Sequence, residues 1–197
     1  MIAEDQTMVR QALVALLELE PDLEVVAQAA NGDEALAMTR KHLPDVAVLD
    51  IEMPGPSGIQ VASELHASGF GGAVVIITTF DRPGYLRAAM AAGARGFLLK
   101  DAPAADLAAA IRRVAAGERV VDPTLAAAAL AQGDSPLTER ESEVLRAAAG
   151  HDAIADIASR LHLSPGTVRN HLSAAIQKLG ARNRAEAVQI AQQKGWL

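Results

Sequence analysis

The stretch Val46-Ala47-Val48-Leu49-Asp50-Ile51-Glu52-Met53-Pro54-Gly55-Pro56-Ser57-Gly58 decides how this chain folds. Four apolar residues run into an aspartate, and a loop rich in proline and glycine follows. An unbroken apolar run bounded by turn residues reads as a strand buried on both faces, the kind found in parallel sheets covered by helices. The flanks agree. Upstream lie a strand stub at residues 1–3, a helix over 7–19 with Val9, Leu13, Leu16 and Leu17 at helical spacing, a strand over 23–27, and a helix over 33–42 after the Asn31-Gly32 turn. Downstream lie a helix over 59–67, the most β-rich run of the chain at 73–78, a helix over 85–92, a strand over 96–99 and a helix over 104–116. Five strands alternating with five helices predict an α/β domain with a doubly wound, five-stranded parallel sheet.

Gly117 ends that pattern. Residues 118–134 read as a linker holding an alanine-rich turn or two of helix over 123–131. A small all-α segment follows over 135–197. Thr138-Glu139-Arg140-Glu141 is a capping box, and Ser164-Pro165 pairs an N-cap with proline at the first helical position. Four helices are expected, over 138–150, 153–161, 165–179 and 185–193. The three domain spans are therefore 1–117, 118–134 and 135–197.

Composition narrows the function. The net charge of −6 over 197 residues argues against a general nucleic-acid binder. The charge is uneven, however. Residues 1–134 hold 10 Lys and Arg against 18 Asp and Glu, whereas residues 135–197 hold 8 against 6. An acidic module is joined to a mildly basic one. With no cysteine, disulfide and thiolate chemistry are excluded, which fits a reducing cytoplasm. No membrane span and no signal peptide are expected.

In a doubly wound sheet, ligands gather outside the carboxyl ends of the strands. Glu4 and Asp5 follow the first strand, Asp50 the third, Thr78 and Thr79 end the fourth and Lys100 ends the fifth. All fall on one rim. Clustered carboxylates repel and call for a cation, and Mg²⁺ suits an all-oxygen set beside phosphate. Lys and Thr suit phosphoryl oxygens, and a carboxylate can become an acyl phosphate. Alone, Asp50 is an ordinary strand-end cap; joint placement gives it weight.

Glu4-Asp5, Asp50-Ile51-Glu52-Met53-Pro54-Gly55, Thr78-Thr79 and Leu98-Leu99-Lys100-Asp101 together resemble the receiver domain of two-component response regulators. The resemblance implies a flavodoxin-like sheet of order 2-1-3-4-5, with Asp50 as phosphoacceptor. It implies that Glu4, Asp5, Asp50 and the backbone carbonyl of Glu52 hold Mg²⁺, that Thr78 and Lys100 bind the phosphoryl group, and that Phe97 is a switch aromatic. The resembled domain carries a full first strand, whereas only three residues precede Glu4 here. The first strand is therefore expected to be truncated, by a start placed too far downstream or by trimming, which puts receiver stability and metal binding through Asp5 in question. Asp50-Ile51-Glu52 also touches the pattern of aspartyl-nucleophile phosphatases, but those place the nucleophile after the first strand and an aspartate two residues on. No enzyme turnover is expected.

Residues 135–197 resemble the LuxR/NarL/FixJ type of helix-turn-helix. The matching strings are Leu137-Thr138-Glu139-Arg140-Glu141-Ser142-Glu143-Val144-Leu145, Ile154-Ala155-Asp156-Ile157-Ala158, Leu163-Ser164-Pro165-Gly166-Thr167-Val168-Arg169-Asn170-His171-Leu172 and Ile176-Gln177-Lys178-Leu179. The resemblance makes residues 165–179 the recognition helix, seated in the major groove. Ser164, Thr167, Arg169, Asn170 and Ser173 lie at its front, while Lys178, Arg182 and Arg184 suit phosphates. It also implies that the last helix, with Val188, Ile190 and Ala191, makes the dimer contact.

The whole implies a cytoplasmic response regulator. A sensor histidine kinase would phosphorylate Asp50, a homodimer would form, and it would bind double-stranded DNA at a two-fold or direct-repeat site. A constitutive DNA binder with a silent receiver stays open as the rival. Within the family, Thr78-Thr79-Phe80-Asp81-Arg82-Pro83-Gly84-Tyr85 and Lys194-Gly195-Trp196-Leu197 are similar to the DesR group, which controls membrane-lipid desaturation in response to cold.

Overall fold

A computed structural model of the chain describes residues 1–79, 83–131, 135–150 and 152–197. Part of the stretch similar to the DesR group (80–82) and the end of the expected linker (132–134) lie outside these residues. Two compact units are present, Met1–Asp81 with Ala88–Ala126, and Arg82–Arg87 with Ala127–Leu197.

The first unit is built on a parallel sheet. Its strands are β1 (Ile2–Ala3), β2 (Gln28–Ala29), β3 (Val46–Asp50), β4 (Ala73–Thr78), β5 (Gly96–Leu99) and β6 (Val120–Val121), in the order β2-β1-β3-β4-β5-β6. The expected order is thus extended by a sixth strand, inside the span read as linker. Val121 pairs in register with Phe97, and the amide of Asp122 donates to the Phe97 carbonyl at 3.0 Å. The strand expected at 23–27 is also displaced, because β2 pairs with β1 only at Gln28 and Ala29.

Helices α1 (Thr7–Leu17), α2 (Gly32–His42), α3 (Gly58–Ala67), α4 (Pro83–Ala91) and α5 (Ala104–Ala115) alternate with the strands. Val46, Val48, Val75 and Ile77 point to one face and pack with Val14, Leu17, Leu107, Ile111 and Val114 of α1 and α5. By the two-residue period of a strand, Leu49, Ile76 and Phe97 point to the other face, and all three are wholly buried. The short β1 is nonetheless held on both sides. The Met1 N-terminal ammonium donates to Val46 O at 2.9 Å, Val48 N to Met1 O at 3.0 Å and Glu4 N to Ala29 O at 3.1 Å. Burial of Ile2, 1 % exposed, adds about 1.5–3 kcal/mol.

Local chemistry sets the loops that frame the rim. Asn31 accepts from Glu34 N at 2.9 Å and caps α2. Ser57 and Gln60 form a reciprocal capping box at the start of α3. Gly58 is required there, since a Cβ on it would stand 2.0 Å from the carbonyl oxygen of Asp50.

Residues Pro123–Ala131 form helix α6, over the span expected for the alanine-rich helical turns. In the second unit, α7 (Glu139–Ala147), a 3₁₀ turn at Ala148–Gly150, α8 (Ile154–Arg160), α9 (Pro165–Lys178) and α10 (Arg184–Gln193) follow. They enclose a core of Val144, Leu145, Ile157, Val168, Leu172, Ala175, Ala187 and Ala191. Between α8 and α9 the chain turns at His162, in the left-handed region at φ 53°, and Leu163 N returns to Ala158 O at 2.9 Å. No described helix is long and apolar enough to cross a membrane.

Candidate functional site

Strand ends bring the predicted rim residues together. Asp50, at the end of β3, is 4 % exposed. Its Oδ1 lies 2.9 Å from Lys100 Nζ, and the same ammonium lies 2.6 Å from Glu4 Oε2. Lys100 comes from just past β5, where its amide donates to the Thr78 carbonyl at 2.8 Å. Burial pushes the Asp50 carboxyl above its ordinary range, and the Lys100 ammonium offsets part of that rise. The site therefore holds a desolvated carboxylate kept ionisable by one cation.

Glu4 is fully buried. Its Oε1 accepts from Gln6 N at 3.1 Å while Oε2 faces Lys100. Both oxygens are thus engaged within the protein. Asp5 is half-buried, and the carboxylates of Glu4, Asp5 and Asp50 each offer an oxygen within 4.8 Å of the others. Three carboxylates against one ammonium leave excess negative charge and an all-oxygen donor set, which fits a hard divalent cation such as Mg²⁺. Glu4, Asp5 and Asp50 each present an oxygen to such an ion, with Glu4 Oε2 and Asp50 Oδ1 also facing Lys100. Glu52 follows in the loop with its side chain exposed. Thr78 is 1 % exposed at the end of β4, and Phe97 is wholly buried in β5. Arg10, which the sequence offered no reason to single out, donates from α1 to the Glu4 carbonyl and secures the turn carrying both acids.

In the second unit, Ser164 Oγ caps α9 by accepting from Thr167 N at 3.1 Å and lies 2.8 Å from Thr167 Oγ1. Arg169, Asn170 and Ser173 are exposed along one face. Gln177, four residues beyond Ser173, is exposed on the same side; its spacing was the signal that could have marked it. Among the described residues Arg169 makes no hydrogen bond or ion pair. Each of the three cations expected at phosphates has a partner within the unit. Lys178 Nζ is 2.7 Å from Glu141 Oε2, Arg182 Nε is 3.0 Å from Glu186 Oε2, and Arg184 donates to Asp152 O at 2.9 Å. Burial raises the Glu141 carboxyl, but the Lys178 ammonium and the Thr138 amide outweigh it and hold the group below its ordinary value.

The expected dimer contact needs one correction. Ala191 is wholly buried in the unit's own core, so it is withdrawn from any outer surface. Val188 packs partly on that core, and Ile190 is half-buried.

Residues 1–112 match the family described as response regulator receiver domain, and residues 135–191 match the one described as bacterial regulatory proteins, luxR family. The chain is 52 % identical to the uncharacterized transcriptional regulatory protein YvfU of Bacillus subtilis (strain 168), across 100 % of this chain and 98 % of that protein. It is 45 % identical to the transcriptional regulatory protein DesR of the same organism, across 99 % and 96 %. Among solved structures, the response regulator ChrA of a heme-sensing two-component system shares 35 % identity over 100 % of this chain and 96 % of that one, with a TM-score of 0.59.

Proposed function

This chain belongs to the response regulators that join a receiver domain to a LuxR-type DNA-binding domain, and on that premise we propose that phosphorylation of Asp50 by a sensor histidine kinase promotes homodimerisation and sequence-specific binding to double-stranded DNA, regulating transcription in the cytoplasm. The observation that carries this reading is the pairing of buried Asp50 with Lys100 beside Glu4 and Asp5.

One Asp50 oxygen is taken by Lys100; the other attacks phosphorus of the phosphohistidine. The P–N bond breaks as the P–O bond forms, and the imidazole leaves and takes up a proton. Mg²⁺, when bound, supplies charge neutralisation at the transferring oxygens. Glu4, Asp5 and Asp50, with the Glu52 carbonyl, would hold it. Lys100 then stays with the added charge, and the Thr78 hydroxyl takes a phosphoryl oxygen. Movement of Thr78 is relayed to Phe97 on the adjacent strand, biasing a two-state surface.

On the DNA side, the exposed face of α9 suits base reading. Arg169 matches guanine and Asn170 matches adenine, each bidentate pair discriminating by about 1–3 kcal/mol. Val188 and Ile190 of α10 remain the dimer-facing candidates. Light scattering of the chain with acetyl phosphate and Mg²⁺ tests the switch. A dimer should form with the wild type and not with Asp50→Ala; a dimer in both, or in neither, contradicts it. Control of membrane-lipid genes rests on the likeness to DesR, and sequencing of genomic fragments pulled down by the chain tests it.

A further inference from the structure

We propose that Lys178 serves DNA recognition from inside the protein, as the ionic partner of Glu141 that fixes the seat of α9, and not as a phosphate contact. This rests on α9 being the helix that reads DNA.

The two residues lie 37 positions apart in sequence, at the last residue of α9 and the third of α7. Glu141 Oε2 accepts from Lys178 Nζ at 2.7 Å and from the Thr138 amide at 2.7 Å, while Thr138 Oγ1 accepts from Glu141 N at 3.3 Å. One carboxylate oxygen therefore closes the N-terminus of α7 and ties down the C-terminus of α9. The Glu141 side chain is 8 % exposed, so withdrawing the ammonium would strand a desolvated carboxylate.

The rest of the α9 contact is apolar. Val168, Leu172 and Ala175 press into the core, and such contacts are not directional. That packing fixes how deeply the helix sits but offers no directional group at its C-terminal end. The ion pair is directional, and it sits at the end of the helix opposite the Ser164 cap. Base reading by Arg169 and Asn170 needs both planar groups in register with a base edge, so the pair governs what those residues can read.

A phosphate contact by Lys178 would require the ammonium to leave Glu141 and would set that bare carboxylate beside the DNA backbone. Arg182 and Arg184 are also engaged within the unit. Arg169 is then the cation of α9 that has no partner among the described residues.

The test uses the full chain and a fluorescent duplex enriched from a random library by the wild type, titrated over a salt series. Lys178→Met and Glu141→Gln should each weaken binding about tenfold, leave the salt slope unchanged, and lose no more when combined, since they break one interaction. Glu141→Gln keeps the cap to Thr138, and Lys178→Arg keeps the ion pair and should bind as the wild type. Circular dichroism at the assay temperature confirms that each variant is folded, so that affinity is compared between folded chains. A Lys178→Met slope shallower by about 0.9, with Glu141→Gln binding more tightly, overturns the proposal in favour of a phosphate contact. Wild-type affinity in both single variants overturns it as well. A wild type that enriches no duplex overturns the DNA reading itself, a result distinct from either.

Discussion

A Cβ on Gly58 would stand 2.0 Å from the main-chain oxygen of Asp50, so the residue opening α3 must be glycine for the proposed phosphoacceptor to keep its place. Gly58 is buried, its amide donates to Ile51 O at 3.1 Å, and the obstructing atom is backbone that cannot swing aside. Gly58→Ala should lower stability by about 1–3 kcal/mol, the usual penalty of overpacking, and slow acetyl-phosphate labelling of Asp50. Thermal melts and a phosphate-affinity gel check both; a variant that melts and labels like the wild type contradicts the packing argument.

Asp50 also sets a pH dependence. Its carboxyl is raised by burial, with Lys100 only partly compensating. The folded state therefore binds a proton more readily than the unfolded chain. Stability falls as pH rises through the unfolded value toward the folded one, and the loss is complete above the folded value. Without divalent ions, Asp50→Asn should melt higher than the wild type at neutral pH, and the difference should vanish in acid. A constant difference across that range rules out the titration.

Among the described residues, two non-glycine residues close helices in the left-handed region, Leu43 at φ 45° and His162 at φ 53°. Both side chains are exposed, so little packing is lost on truncation. Leu43→Gly and His162→Gly should each stabilise by about 1 kcal/mol by removing the left-handed penalty. Urea unfolding measures it; unchanged midpoints mean that the penalty is already relieved.

Asp122 Oδ1 accepts from Thr124 N at 2.8 Å and Leu125 N at 3.2 Å, capping α6 just after β6. Asp122→Ala should cost about 1 kcal/mol, while Asp122→Asn should retain most of the cap. Hydrogen exchange at the amides of Thr124 and Leu125 locates the loss; exchange unchanged in Asp122→Ala means that the cap carries no stability.

Much of the carboxylate–lysine site was legible because a parallel sheet sorts polar residues by strand end. β3, β4 and β5 are unbroken apolar runs, so Asp50, Thr78 and Lys100 landed where expected. Shorter pairings were not legible. Leu23 and Val25 look like strand residues, yet they pack partly against the core while β1 engages Gln28 and Ala29. Val120 and Val121 are too few to show a period, and only β5 makes them a strand. Charges were read as solvent-facing or DNA-facing because a sequence does not display distant partners. Glu141 lies 37 residues from Lys178, and Asp152 lies 32 from Arg184. Glu186, four residues from Arg182 on the same helical turn, could have been foreseen.

Control of DNA binding by Asp50 is tested most directly by the dissociation constant on a wild-type-selected duplex, measured before and after acetyl phosphate with Mg²⁺. The wild type should tighten by about tenfold or more, within the usual 1–3 kcal/mol of coupling between sites, and Asp50→Ala should not change. Equal affinity of the wild type before and after, with Asp50 shown to be phosphorylated, would contradict the account and leave a constitutive DNA binder.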